Sequence, residues 1–212
     1  RPLWPLQPIA SRPPAQSRLK SVTDPSVSVV VPAHNAEATL PECLRALCNM
    51  SVEPAEVLVY VDGSTDGTER IALEAGAEVL KNSGPPKGPA LARNAAAAVA
   101  KSDLLWFVDA DVVVSPDCLR GLIDDMQANA AVGAFGSYDD RPASLRATSL
   151  YANLRHHYVH QRGNPHATTF WSGIGLMRRD IFLQFGGFDW ERFPYPSVED
   201  VELGMRVVAA GH

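Results

Sequence analysis

The sequence predicts an α/β fold, a doubly wound and mostly parallel β-sheet with helices on both faces. One observation is the run of five large apolar residues at 104–108, which is typical of a strand buried on both faces. Another is the alternation of such runs with helical periodicity, which favours parallel strands joined by right-handed crossovers. A third is that Asp109 and Asp111 follow the run, at the edge where open α/β sheets bind ligands.

Residues 1–26 differ in amino-acid composition from the rest of the chain. They contain six prolines and few apolar residues. Because proline disrupts both helices and ladders, we expect a linker or a surface arm here. The folded domain is therefore predicted to cover residues 27–212.

The first elements follow from short apolar runs and one helical pattern. A strand is predicted at 27–31 and is expected to end at Pro32, which cannot donate to a ladder. A helix over about 36–50 is predicted by apolar residues that recur on one face: Leu40, Leu44, Leu47 and Met50. The second strand covers 56–61.

Helix signals mark the next segment. Asp66 is predicted to cap a helix, Glu69 to complete a capping box, and Gly76 to end the helix. The predicted elements that follow are a strand at 77–81, a Gly/Pro loop at 84–89, an Ala-rich helix at 90–101 and the strand at 104–108.

The second half continues the sheet and then changes rhythm. A helix at about 116–129 and a strand at 132–135 extend the alternation. The later predicted elements are a long helix at about 144–162, an apolar stretch at 170–177, a short helix from Asp180 and a helix at 201–210.

Composition is that of a globular enzyme domain, with 46% hydrophobic and 20% charged residues among 212. The net charge of -5 argues against a nucleic-acid partner or an anionic membrane surface. Three cysteines without zinc spacing indicate reduced thiols and a cytoplasmic protein. No run approaches the length of a membrane span. The chain begins at Arg1 and not at a methionine, so the sequence leaves open whether a segment precedes it.

Asp109 and Asp111 form a pattern suited to a divalent cation. Mg²⁺ is usually held by one or two carboxylates together with substrate phosphates. The alternative is an Asp pair that turns the chain and caps the following helix.

Six motifs occur in order along the chain. They are Val-Ser-Val-Val-Val-Pro-Ala-His-Asn (27–35), Val-Asp-Gly-Ser-Thr-Asp-Gly-Thr (61–68), Gly-Pro-Ala-Leu-Ala-Arg-Asn (88–94), Asp-Ala-Asp (109–111), Gly-Gly-Phe-Asp (186–189) and Glu-Asp-Val-Glu-Leu-Gly-Met-Arg (199–206). Together they resemble the family-two glycosyltransferases, over residues 27–211. The resemblance implies the GT-A fold, with a Rossmann-like nucleotide-binding half and an acceptor half. It also implies inverting transfer from a UDP- or GDP-sugar to a saccharide or lipid-linked acceptor, assisted by Mg²⁺ or Mn²⁺.

The resemblance implies these donor-binding residues: Pro32, Asn35, Asp62, Lys87, Arg93, Asp109, Trp171 and Gly173. Asp62 would pair with an N–H of the nucleobase. Lys87 and Arg93, with Asn94, would approach the ribose and diphosphate. Arg93 as a surface helix residue and Trp171 as a core residue remain alternatives.

The same resemblance implies roles for four acids. Asp111 would ligate the cation that bridges the diphosphate, with Asp109 supporting the metal or the ribose. Asp200 would be the general base that deprotonates the acceptor hydroxyl. Glu199 would contact the acceptor or cap its helix.

Histidines and arginines cluster on the predicted long helix. His156 and His160 are four residues apart and share a face. Zinc is disfavoured because no carboxylate follows at zinc spacing. The basic cluster Arg155, His156, His157, Arg162 and His166 would meet an anionic acceptor or form a solvated face.

Other nucleotide-binding classes lack their motifs here. The glycine-rich loops of nucleotidyltransferases and dehydrogenases are absent after the first strand. Family members usually continue beyond the position of His212, so a truncated domain is expected, with membrane association through parts outside this chain left open. The rival hypothesis is a catalytically incomplete GT-A-like domain that binds a nucleotide or a partner without turnover.

Overall fold

A computed structural model describes residues 25–140, 147–163 and 167–212. The strands are β1 (Val27–Ala33), β2 (Glu56–Asp62), β3 (Glu78–Asn82), β4 (Leu104–Val108), β5 (Gly133–Phe135) and β6 (Ile174–Arg178). The helices are α1 (Leu40–Cys48), α2 (Thr68–Glu74), α3 (Pro89–Val99), α4 (Cys118–Ala128), α5 (Ala147–Arg162), α6 (Arg179–Gln184) and α7 (Glu199–Ala209). Most of the predicted arm, the first turn of the predicted long helix and His166 lie outside the described residues.

The strands form one six-stranded sheet in the order β3-β2-β1-β4-β6-β5. The first four strands pair in parallel, which confirms the predicted fold class. β6 lies antiparallel between β4 and β5, so β5 is an edge strand and does not extend the parallel ladder directly. An apolar run indicates that a strand is buried but not in which direction the strand runs. The position of β6 between β4 and β5 was therefore not predicted.

Two hydrophobic cores flank the sheet, one on each face. The first packs α1, α2 and α4 against the sheet, and the second packs α3, α6 and α7. Trp106 belongs to the first core, and its neighbour Phe107 belongs to the second. Both are fully buried, as expected for a strand covered on both faces. The four apolar residues that predicted α1 are all buried.

Pro32 lies inside β1 and does not end it, contrary to the prediction. The β1–β4 register stops at Val30, whereas the β1–β2 register continues to Ala33. Pro32 therefore occupies a part of the strand with a neighbour on one side only, where a missing N–H is tolerated.

The predicted capping box of α2 is also replaced by other contacts. Glu69 pairs with Lys81 at 2.7 Å instead of reaching back to the helix start. Asp66 accepts hydrogen bonds from the backbone N–H groups of Thr68 and Glu37. The same carboxylate thus fastens α2 to the loop after β1. Gly76 follows the helix with φ +79°, as predicted for its end.

Candidate active site

The carboxyl ends of β1, β2 and β4 open onto one cleft of about 760 Å³. This volume falls within the range of small-molecule sites. Ten of the eleven predicted site residues line it: Pro32, Asn35, Asp62, Arg93, Asp109, Asp111, Trp171, Gly173, Glu199 and Asp200. The exception, Lys87, is exposed outside the cleft wall and contributes its backbone to the site.

Asp109 and Asp111 lie where β4 ends. The Asp109 backbone N–H donates to the carbonyl of Gly173 at 3.2 Å, and its own carbonyl accepts from Val112. The chain therefore turns through backbone hydrogen bonds, so neither of these turn contacts uses a carboxylate oxygen of Asp109. Partial burial and the charge of Asp109 raise the pKa of Asp111 above its usual value.

Two neighbouring groups experience the same negative charge. Burial, with further contributions from Asp111 and Asp109, raises the pKa of the Tyr138 phenol to about 12. The same three causes raise the pKa of the Cys43 thiol to about 12. Negative charge thus accumulates at the end of β4.

The acid pair fits a hard divalent cation. Within residues 25–140, 147–163 and 167–212, no group of three or more His, Cys, Asp and Glu side chains is arranged to hold a metal ion. Two carboxylates alone suit Mg²⁺ or Mn²⁺, which take their remaining ligands from substrate phosphates and water.

Arg93, on α3, joins this acid pair to the opposite wall of the cleft. Its Nη2 donates to Asp109 Oδ1 at 2.6 Å, and its Nη1 donates to Glu199 Oε1 at 3.2 Å. The guanidinium also packs on the ring of Phe188, 5.7 Å from its centroid. Arg93 is only 4% exposed. The alternative of a surface helix residue is therefore wrong, and the guanidinium holds two carboxylates instead of facing open solvent.

Glu199 and Asp200 occupy the first turn of α7, which begins two residues earlier than predicted. The second carboxylate oxygen of Glu199 accepts from the Ser197 backbone N–H at 3.0 Å. Asp200 Oδ2 accepts from the backbone N–H and the hydroxyl of Ser172, at 2.9 and 3.1 Å. Both carboxylates are buried and oriented by fixed donors.

Asp62 anchors the loop that leads into α3. Its Oδ2 accepts from the backbone N–H groups of Lys87 and Gly88, at 2.7 and 2.8 Å. Its Oδ1 accepts from the Asn82 side chain at 3.0 Å. Asp62 is 3% exposed, so most of its hydrogen-bonding capacity is directed towards this loop. The contact to the nucleobase stays a prediction.

Asp62→Ala is expected to lower the free energy of unfolding by about 2 kcal/mol, because two backbone N–H groups and the Asn82 amide lose a buried, charged acceptor. Urea denaturation measures the loss, with the exposed Asp125→Ala on α4 as control. Nucleoside diphosphate affinity is expected to fall more than inorganic pyrophosphate affinity. Unchanged stability would contradict the anchoring role, and equal losses for the two ligands would contradict the base contact.

Asn35 links the loops that follow β1 and β2. It adopts φ +48°, and its backbone N–H donates to the Ser64 hydroxyl. Its side-chain oxygen accepts from the Thr65 backbone N–H at 2.8 Å. The neighbouring His34 donates through Nδ1 to the Asp62 carbonyl at 2.6 Å. These contacts hold the two strand ends together at the predicted donor side of the cleft.

Trp171 and Gly173 form another part of the wall. A Cβ at Gly173 would lie 2.7 Å from the Trp171 ring, so only glycine lets the indole lie against the backbone there. On its other sides the indole contacts Tyr138, His156 and His160, with ring centroids 4.7 to 6.1 Å apart. The ring is half-buried, so it combines a packing role with a surface presented to the cleft.

Several lining residues were not among the predicted site residues, and two of them, Ser172 and Tyr195, carry polar side chains that bear on the site. Ser172 supplies two donors to Asp200, and its only signal was its place between Trp171 and Gly173. Tyr195 lines the cleft at 77% exposure, and the prolines on either side of it were the available signal. Glycine at position 88, with φ +95°, lets this segment approach, since a Cβ there would meet the Pro194 carbonyl.

The sequence matches the family described as Glycosyl transferase family 2 over residues 28–186. It is 27% identical over 205 residues to the probable glycosyltransferase YdaM of Bacillus subtilis (strain 168), covering 89% of this chain and 48% of that protein.

Solved structures share the fold. The mannosyltransferase PcManGT from Pyrobaculum calidifontis, in complex with GDP-Man and Mn2+, has a TM-score of 0.68 at 20% identity, covering 90% of this chain and 54% of that one. S. aureus TarS 1-349 in complex with UDP-GlcNAc has a TM-score of 0.62 at 20% identity, covering 86% and 53%. The chain thus spans about half the length of each of these three proteins. With the family match extending over most of the chain and the architecture shared, this protein belongs to glycosyl transferase family 2 and has the GT-A fold of its catalytic domains.

Proposed function

We propose that this domain transfers a sugar from a UDP- or GDP-sugar to an acceptor hydroxyl, with inversion and with the help of Mg²⁺ or Mn²⁺. The observation that carries the proposal is the meeting of Asp109 and Asp111 with Asp200 in one cleft. One end suits a metal-bound diphosphate, and the other offers a base for a hydroxyl. The complexes of PcManGT with GDP-Man and Mn2+ and of TarS with UDP-GlcNAc support a nucleotide-sugar donor.

Asp109 and Asp111 are the residues that would hold the cation. When bound, the cation neutralises the charge that develops on the departing nucleoside diphosphate. Asp111 contributes the more accessible carboxylate, whereas Asp109 is restrained by Arg93. The N-terminus of α3, an eleven-residue helix, also lies at the cleft. A helix N-terminus carries a partial positive charge and would favour the anionic diphosphate.

Asp200 is the proposed general base. Ser172 holds one of its oxygens, and the backbone N–H of Val201 donates to the other at 2.8 Å. Oδ2 accepts two hydrogen bonds from Ser172, whereas Oδ1 accepts one, so Oδ1 keeps a free lone-pair direction while the carboxylate stays oriented. Asp200 would accept the proton of the acceptor hydroxyl. The hydroxyl oxygen of the acceptor would then attack the anomeric carbon as the nucleoside diphosphate departs. One displacement without an enzyme nucleophile inverts the anomeric configuration.

The test is a transfer assay over a panel of UDP- and GDP-sugars with saccharide and lipid-linked acceptors, with Mn²⁺ or Mg²⁺ and with chelator. Sugar transfer that requires metal and gives an inverted product supports the proposal. Nucleotide binding without turnover, by a protein that extends beyond residue 212, would favour the catalytically incomplete binding domain. A retained configuration would exclude the single displacement.

Asp111→Asn is expected to weaken metal-dependent nucleotide binding by about 1 to 3 kcal/mol, through loss of a charge-assisted contact. The raised pKa gives this variant a second signature. In the metal-free protein, ionised Asp111 opposes folding at pH values above its pKa, so the variant is expected to melt at a higher temperature at pH 7. Wild-type metal affinity should also decline with acidification sooner than for an ordinary Asp.

Calorimetry with UDP or GDP and Mn²⁺, together with melting curves, checks these expectations. Asp125→Asn, an exposed carboxylate on α4, is the matched control. Equal nucleotide affinity in wild type and variant, or affinity that survives chelation unchanged, would remove Asp111 from the metal site.

A further inference from the structure

Helix α5 packs several polar side chains against the protein and exposes several large apolar side chains to solvent. Two of its histidines contact Trp171: the exposed His156 stacks on the indole at an interplanar angle of 17°, and the half-buried His160 has its ring centroid 4.7 Å from that of the same indole. His157 donates through Nδ1 to the Tyr138 carbonyl at 2.7 Å. Four large apolar side chains of α5 are instead exposed to solvent: Tyr151, Leu154, Tyr158 and Val159.

The outer side carries a stripe of aromatic, aliphatic and arginine side chains. Its members, called the outer stripe below, are Tyr151, Leu154, Arg155, Tyr158 and Arg162. Their spacing of three, four, seven and eleven residues places them on one helix face. Tyr151 is 70% exposed and Tyr158 is 61% exposed. The Arg162 guanidinium lies 5.6 Å from the Tyr158 ring centroid, so cation and aromatic ring form one surface.

Charge is distributed unevenly around this helix. The segment 141–179 contains six arginines and four histidines, and all 24 Asp and Glu residues lie outside it. The overall charge of -5, which argued against an anionic surface, therefore combines +6 in this segment with -11 in the rest of the chain. Within the described helix, Arg155 and Arg162 are exposed and no acid is present, so this face attracts an anionic partner locally.

Composition narrows the kind of partner. In a two-fold contact between copies, the same helix would face itself, and α5 offers no carboxylate to meet Arg155 or Arg162. Tyrosine rings lie at the headgroup level of bilayers, and arginines near the surface are attracted to anionic lipids.

We propose that the outer stripe of α5 docks the domain on an anionic lipid surface. The helix also forms the back of the Trp171 wall, so docking places that side of the cleft next to the membrane. This surface is independent of the catalytic assignments, because its contacts need neither a donor nor a metal.

Co-sedimentation of the 212-residue chain with vesicles tests the proposal. Binding is expected to vesicles that contain phosphatidylglycerol, to weaken with added salt and to be minor with phosphatidylcholine alone. Arg155→Gln with Arg162→Gln should lower the partition coefficient roughly 30-fold, about fivefold for each arginine near the surface. Tyr151→Ser with Tyr158→Ser should also weaken binding, although the charge is unchanged.

Matched variants separate a lipid contact from a folding defect. Arg155→Lys with Arg162→Lys keeps the charge and should retain most vesicle binding. Arg70→Gln with Leu73→Ser removes an exposed arginine and an exposed leucine from α2 and should bind vesicles like the wild type. Circular dichroism should give the same helix content for all of these proteins.

Three results would overturn the proposal. One is equal affinity for neutral and anionic vesicles, or no vesicle binding. Another is a pair of α5 variants that bind anionic vesicles as tightly as the α2 control. The last is a dimer in sedimentation equilibrium that the α5 variants abolish, which would assign the stripe to a second copy of the chain.

Discussion

Asp200→Asn is expected to lower the rate of sugar transfer by about a hundredfold or more, because the acceptor hydroxyl loses its proton acceptor. The amide retains the shape of the carboxylate and keeps an oxygen for the Ser172 donors. Donor affinity should hardly change, since the base acts on the acceptor as the transition state forms. Single-turnover rates at saturating donor, measured with the protein that shows transfer in the donor panel, provide the measurement.

Glu202→Gln is the matched control, since Glu202 lies on the same helix and bonds Arg206 instead of facing the cleft. It should transfer sugar at close to the wild-type rate. Full turnover by Asp200→Asn would remove that residue from the role of base. NMR of the first product formed by the wild type reports the anomeric configuration separately, so the residue and the displacement are tested independently.

Arg93→Met is expected to have the largest effect on stability, a loss of about 3 to 5 kcal/mol of unfolding free energy. Removing one partner of a buried ion pair leaves an uncompensated charge, and here two carboxylates lose the same guanidinium. Urea denaturation measures the loss. The exposed Arg70→Met, whose partner Glu74 is also exposed, should cost under about 1 kcal/mol.

A second substitution distinguishes the cost of the unpaired carboxylates from the cost of losing the packing of the Arg93 side chain. Adding Glu199→Gln to Arg93→Met removes one of the stranded charges and should restore part of the stability. Arg93→Lys keeps the charge but cannot reach both acids with a rigid fork, so it should be intermediate. If the loss of unfolding free energy in the double variant equals the sum of the losses in the two single variants, Arg93 and Glu199 are not energetically coupled.

The same variants test what Arg93 does for the donor. The resemblance implied contact with ribose and diphosphate, whereas the structure occupies two of its nitrogens with Asp109 and Glu199. If Arg93 acts by holding Asp109, Arg93→Lys should weaken nucleotide binding only when Mn²⁺ is present. A loss of equal size with and without metal would favour a direct contact with the nucleotide.

The fold was largely predictable because burial leaves a local signature. Five apolar residues in a row indicated β4, and Leu40, Leu44 and Leu47 indicated the buried face of α1. Polar residues at the ends of these runs indicated the cleft, because parallel strands bring their carboxyl ends to one edge. Short-range patterns of this kind depend on the 2.0 and 3.6 periodicities of the backbone, which act within a few residues.

The chemistry of the site was predictable in type but not in its connections. Asp109, Asp111 and Asp200 stand out as acids at element ends. Their partners do not, because Arg93 is separated from Glu199 by 106 residues and Asp62 is separated from Gly88 by 26. No local pattern encodes such pairings, since they depend on how the sheet places distant helices.

The sequence by itself determined five of the six strands of the described sheet, most helices and the edge of the sheet at which carboxylates gather. Tertiary structure alone decided that β6 runs antiparallel between β4 and β5, that Asp62 fastens the loop before α3, and that α5 brings two histidine rings against Trp171. The physical reason is that hydrophobic periodicity specifies which residues are buried. Direction, register and partners follow from long-range packing, in which each buried polar group must find its hydrogen bonds.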